Sequence, residues 1–135
     1  MKSLDTNVLA RFFIDDPDDA QAALQRPVAV TAMSAPALIT VTVLLEFEWV
    51  MRGFYDLPRS EVARVLRALT GIGHILIEDR AAVIAALDAF DSGLDFADAL
   101  HLARSQHASA FVTFDRRLAK RAGPLELMPK VEWLG

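Results

Sequence analysis

Four acidic residues stand far apart in this chain, each at the end of a recognisable element: Asp5, Glu46, Asp98 and Asp115. Asp5 lies in Ser3-Leu4-Asp5-Thr6-Asn7, directly after a very short apolar strand. Glu46 lies in Leu44-Leu45-Glu46-Phe47-Glu48, and Asp98 in Asp95-Phe96-Ala97-Asp98-Ala99. Asp115 closes Phe111-Val112-Thr113-Phe114-Asp115. Gathered carboxylates repel one another, and burying them costs several kcal/mol per charge unless something compensates. If the fold gathers these four, a divalent cation is the natural compensation. Oxygen-only ligands point to Mg²⁺ or Mn²⁺ rather than zinc. Such an ion can bind a non-bridging phosphate oxygen and lower the pKa of its own water, which suits phosphodiester hydrolysis.

Each acid also has a structural alternative. Asp5, Asp95 and Asp115 all precede helical segments and can serve as N-caps. Asp98 can complement the helix dipole from the first turn, and Glu46 can be solvated. Glu46 and Glu48 both sit at the margin of the apolar face set by Val43, Phe47 and Val50, so the helical wheel leaves either free to turn toward a site.

The elements that must position these residues alternate between strand and helix. Strands are expected at Lys2–Leu4, Ala37–Ile39, His74–Ile77 and Ala110–Thr113, with an edge strand at Leu125–Leu127. Helices are expected over Asn7–Phe13, Asp18–Gln25 and Val43–Phe54, then from Pro58 or Ser60 to Gly71. Three more follow, from Asp79 to Phe90, from Asp95 to His107, and over Arg116–Arg121. The Pro, Ala, Ser and Thr content of 27–36 predicts an irregular connection. The alternation predicts an α/β sandwich around a mainly parallel sheet. In open parallel sheets, sites form beyond the carboxyl ends of the strands, where Asp5 and Asp115 both fall.

A chain of 135 residues is expected to form a single domain, 1–135, with ample core at 53% hydrophobic residues. The absence of cysteine excludes disulfides, thiol nucleophiles and thiolate-held metals. No apolar run reaches the roughly 18 residues of a membrane span, and an acid stands at position 5 where a secretory leader would be apolar, so the expected location is cytoplasmic. The net charge of −4 argues against a simple basic nucleic-acid binder but not against a nuclease. Two arginine-rich groups could hold phosphates: Arg116, Arg117, Lys120 and Arg121 beside Asp115, and Arg52, Arg59, Arg64 and Arg67. The alternative for both is a solvated helix face with salt-bridge partners. His101, three residues after Asp98, reads as a structural or supporting residue. Trp49 and Phe54 read as core or protein-interface residues.

The chain resembles PIN-domain proteins, and more narrowly the VapC-type toxins of bacterial toxin–antitoxin pairs. The likeness rests on Leu4-Asp5-Thr6-Asn7-Val8-Leu9, Leu44-Leu45-Glu46-Phe47-Glu48-Trp49-Val50, Asp95-Phe96-Ala97-Asp98-Ala99-Leu100-His101 and Val112-Thr113-Phe114-Asp115-Arg116-Arg117, in this order. It implies a three-layer PIN-like sandwich with a five-stranded, mainly parallel sheet flanked by helices. It implies Mg²⁺- or Mn²⁺-dependent endoribonuclease activity, in-line attack by water, and a 5′-phosphate product. It implies Asp5, Glu46, Asp98 and Asp115 as the metal-binding and catalytic set, with Glu46 favoured over Glu48. Asn7 would orient the first aspartate, Thr113 would place a hydroxyl near the metal, and Asp95 would be an extra acid. The resemblance further implies a homodimer and a small VapB-like antitoxin, for which a groove near the Val43–Leu69 hairpin would suit a helix. Three rivals remain. A housekeeping RNA-processing nuclease would have the same site, and a silent PIN-like module would bind without cutting. A phosphatase of the haloacid-dehalogenase type would need an acid where Asn7 stands.

Overall fold

Short polar side chains set where helices begin in this chain. Asp5, Asp19, Thr40, Asp95 and Asp115 each hold an N-cap position with extended backbone and accept from nearby helical N–H groups. The computed structural model describes all 135 residues, which fall into two compact units, Met1–Glu78 and Asp79–Gly135. The fold is α/β, with seven helices and parallel strands.

In the first unit, β1 (Lys2–Ser3) leads into α1 (Thr6–Phe13) and α2 (Ala20–Met33). Next come β2 (Ala37–Ile39), α3 (Val41–Trp49), a π-helical turn (Val50–Phe54), α4 (Arg59–Thr70) and β3 (Ile75–Ile77). The strands pair in parallel in the order β1-β2-β3, with Lys2 opposite Ala37 and Ala37 opposite Ile75. Leu9, Ile39, Leu44, Phe47, Met51 and Leu69 are fully buried. Val62, Val65, Leu66 and Leu69 form the buried stripe that the i, i+3, i+4, i+7 pattern of α4 predicts.

The second unit contains α5 (Arg80–Asp91), α6 (Phe96–Ala103), β4 (Ala110–Thr113) and α7 (Arg116–Ala122). A 3₁₀ turn (Gly123–Leu125) precedes β5 (Lys130–Trp133), which pairs in parallel with β4 from Ala110–Lys130 to Thr113–Trp133. Leu87, Leu94, Phe96 and Leu102 are buried here, and Phe90 meets Phe96 edge to face at 6.0 Å.

Three expectations are corrected and one is narrowed. The five strands form two sheets, of three and two strands, rather than one of five. Neighbouring residues of a strand turn their backbone groups to opposite edges. A two-residue β1 therefore leaves a single residue's groups on its second edge, too few for another ladder. The 27–36 stretch is helical through Met33, although Pro27 interrupts its hydrogen bonding. Asp19 caps two N–H groups at its start, and Ala22, Ala29 and Met33 are buried along it, which offsets the roughly 3 kcal/mol that an interior proline costs. The last strand lies at Lys130–Trp133 instead of Leu125–Leu127, because Gly123-Pro124-Leu125 turn first. Trp49 and Phe54 are 59% and 72% exposed, which removes the core from their two alternatives and leaves the protein interface.

Candidate active site

In the first unit, Asp5 ends β1 and caps α1, its Oδ1 accepting from the Thr6 N–H at 2.8 Å. Thr6 itself is buried, and its hydroxyl donates a short hydrogen bond to Glu46 Oε1. One threonine thus ties the start of α1 to α3 and brings the residue after Asp5 against the Glu46 carboxylate. Glu46 is exposed beyond that bond. Glu48 has a different environment: it is only 2% exposed and is held by Arg52 at 2.9 Å across one helical turn. Glu48 is thus neutralised within its own helix, whereas Glu46 has no basic partner. Asn7 is exposed and makes no hydrogen bond to Asp5, so the orienting contact comes from Thr6 instead. The hydroxyl directly after the aspartate in Asp5-Thr6-Asn7 was the missed signal for the tie to Glu46, while the contact to Asp5 is a backbone N–H that any residue at position 6 supplies.

In the second unit, Asp95 caps α6 by accepting from the Asp98 N–H at 3.3 Å. Asp98 is half-buried in the first turn. Burial pushes its carboxyl above the usual aspartate range, the negative charges of Asp95 and Asp115 push it further, and His101 opposes them. Asp115 caps α7, with Oδ1 accepting from the Arg117 and Leu118 N–H groups at 2.9 and 3.1 Å. Its own N–H donates to Thr113 Oγ1 at 2.9 Å, so Thr113 shapes the turn that presents the aspartate. His101 lies nearly parallel to the Phe111 ring, 6.4 Å between centroids.

The structure therefore groups Asp5, Thr6 and Glu46 in one unit, and Asp95, Asp98, Asp115 and His101 in the other. Nowhere do three His, Asp or Glu side chains stand together at metal-holding distance, so the expected ready-made cluster is not present as such. Asp5, Asp95 and Asp115 each commit an oxygen to backbone N–H groups of their own helix. The second carboxylate oxygen of each receives no hydrogen bond, and the Asp98 carboxylate receives none at all. The donor set still fits a hard divalent cation, since every candidate ligand is oxygen and Asp98 carries the like-charge stress that a cation relieves.

The basic groups also differ. Arg52 pairs with Glu48, and Arg64 pairs with Glu61 at 2.9 Å. Arg116, Arg117, Lys120 and Arg121 are exposed on α7, and none pairs with an acid.

With this geometry in place, the comparison with known families is direct: the PIN domain model matches residues 3–124, and the chain belongs to the PIN-domain family. The match runs across both compact units. PIN domains have a nuclease-type fold, are generally metal-dependent nucleases and typically use divalent metals. No match was found among curated proteins or among solved structures. No helix is long and apolar enough to cross a membrane.

Proposed function

We propose that the chain is a single-domain Mg²⁺- or Mn²⁺-dependent endoribonuclease of the VapC toxin type. The observation that carries the reading is Asp98, half-buried in the first turn of α6, whose carboxyl is raised by burial and by the negative charges of Asp95 and Asp115 and is opposed only by His101, in a chain that belongs to the PIN family. Asp5, Glu46, Asp98 and Asp115 would hold the cation. Once bound, the ion would supply phosphate polarisation and a water acidic enough to attack near neutral pH.

The chain's own residues do the positioning. Thr6 fixes the Glu46 carboxylate by its hydroxyl, and the cap bond to the Thr6 N–H fixes Asp5. Thr113 holds the turn at Asp115, and the α7 N–H groups hold Asp115 Oδ1, leaving Oδ2 for ligand. Asp95 orders the first turn of α6 and raises the proton affinity of Asp98, so Asp98 gains most when a cation arrives. The toxin reading adds a homodimer, a VapB-like antitoxin and a cytoplasmic site of action. Support for a protein partner comes from an apolar groove of about 330 Å³ between α1 and α2, lined by Val8, Leu24, Val28 and Ala32 among others.

The test is to incubate total RNA with the wild-type chain and with Asp5→Asn, in Mg²⁺ and in EDTA, and to map the cut ends. New 5′-phosphate ends are expected for wild type in Mg²⁺ alone. Identical end maps for the two proteins would remove the reading. Growth arrest on expression, absent for the same variant, separates the toxin from a housekeeping nuclease.

A further inference from the structure

We propose that the exposed Phe114–Trp133–Arg116 surface beside Asp115 is a stacking platform for single-stranded RNA, with Arg117 and Lys120 taking its phosphates. This rests on the ribonuclease reading and names the side chains outside the acidic site that would receive the RNA.

Phe114 is 79% exposed in the turn between β4 and the Asp115 cap, and its ring touches no other aromatic ring. A phenylalanine left in water one residue from a candidate catalytic acid has no packing role to explain it. Trp133, at the end of β5, is 44% exposed and opposite Thr113 in the ladder. Its indole N–H donates to the Phe114 carbonyl at 3.3 Å, which fixes the ring against the same turn. Arg116 lies over the indole, 5.2 Å from its centroid, so one face of the ring already carries a cation. Two exposed aromatic rings are thus anchored at the Asp115 turn.

The charge around them selects the occupant. Arg116, Arg117, Lys120 and Arg121 have no acidic partner, whereas Arg52 and Arg64 each have one. Cations left unpaired beside aromatic surface suit a polyanion whose bases offer flat faces. In a duplex those faces are covered by neighbouring pairs, and only unstacked bases can lie on Phe114 and Trp133. A protein partner that used the rings alone would leave Arg117 and Lys120 without a counter-charge.

The experiment is fluorescence anisotropy with a labelled, unstructured RNA of about 12 nucleotides and a duplex of equal length, in EDTA with RNA integrity checked on gels. Wild type is expected to bind the single strand about tenfold more tightly than the duplex. Phe114→Ala and Trp133→Ala should each weaken single-strand binding about tenfold, while Trp133→Phe recovers most of the loss. The double change Arg117→Ala with Lys120→Ala should lower the salt dependence by about 1.4 in log–log slope. Unchanged affinity in Phe114→Ala, whose exposed side chain can be removed without disturbing packing, would overturn the platform. So would equal affinity for the duplex, or a change in sedimentation of Phe114→Ala without a change in RNA affinity, which would assign the face to protein contact. Cleavage of the same RNA in Mg²⁺ is read separately. Binding with this pattern but no cutting leaves the platform standing and removes the ribonuclease reading. Cutting with unaltered binding in the ring variants does the reverse.

Discussion

Two carboxylates withdrawn from solvent, Glu48 on α3 and Asp98 on α6, receive opposite treatment. Glu48 is fully buried and comes with its counter-charge, Arg52, one turn away. Asp98 is half-buried and comes with two further negative charges, Asp95 and Asp115. Removing a carboxylate from water is costly, and a chain that only needs a stable helix supplies the cation itself. Around Asp98 the chain supplies more acid instead, opposed only by His101. The contrast repeats among the arginines: Arg52 and Arg64 pair with acids within the chain, and Arg116, Arg117 and Arg121 on α7 pair with none.

The largest effect that would break this comparison is on activity. Asp98→Asn should lower RNA cleavage by about a thousandfold with the fold retained, as seen by circular dichroism, because it removes charge from the reacting centre. Glu48→Gln should leave cleavage within a few-fold. Equal losses in the two variants would mean that the acids do not differ in kind.

Next in size is the response to metal. Raising Mg²⁺ or Mn²⁺ to one hundred times its dissociation constant should stabilise the wild-type fold by about 2.7 kcal/mol in thermal melts. Asp98→Asn should lose most of that gain, while Glu48→Gln should keep it. A melting curve that ignores the ion in every protein would count against the site.

Arg52→Ala sharpens the other side of the contrast. It strands the buried Glu48 carboxylate and should cost about 2 kcal/mol, a fall in melting temperature of roughly 8 °C, with the guanidinium's own exposure keeping the loss modest. A melting temperature equal to wild type would show that Glu48 is not dependent on its partner.

How much of this was legible in the sequence varies with the range of the physics involved. Capping is local, so Asp5, Asp95 and Asp115 at helix starts could be read from neighbouring residues, and β4 falls on Ala110–Thr113 as its apolar run predicts. The choice between Glu46 and Glu48 was not legible, because both border the same apolar face. Their different surroundings come from Thr6, forty positions away, and from Arg52. Pro27 hid a helix that its alanines and the Asp19 cap sustain. The division into two sheets was hidden because strand length, rather than strand identity, decides how many edges can pair.

The smallest predicted effect is on pH. The Asp98 carboxyl keeps its proton above the 3.8 of an ordinary aspartate, so above that value the folded state binds more protons than the unfolded one. Stability of the metal-free protein should therefore fall as pH rises from the ordinary aspartate range through the raised Asp98 value, and this contribution should vanish in Asp98→Asn. Parallel melting temperatures for the two proteins across that range would show that Asp98 is not under stress.

The most direct measurement of the central claim is calorimetric titration of Mn²⁺ into the wild-type chain, Asp98→Asn and Glu48→Gln. The account predicts binding to wild type and Glu48→Gln with matching affinity, and a loss of at least about tenfold in Asp98→Asn. Equal binding by all three proteins, or none by any of them, would contradict it.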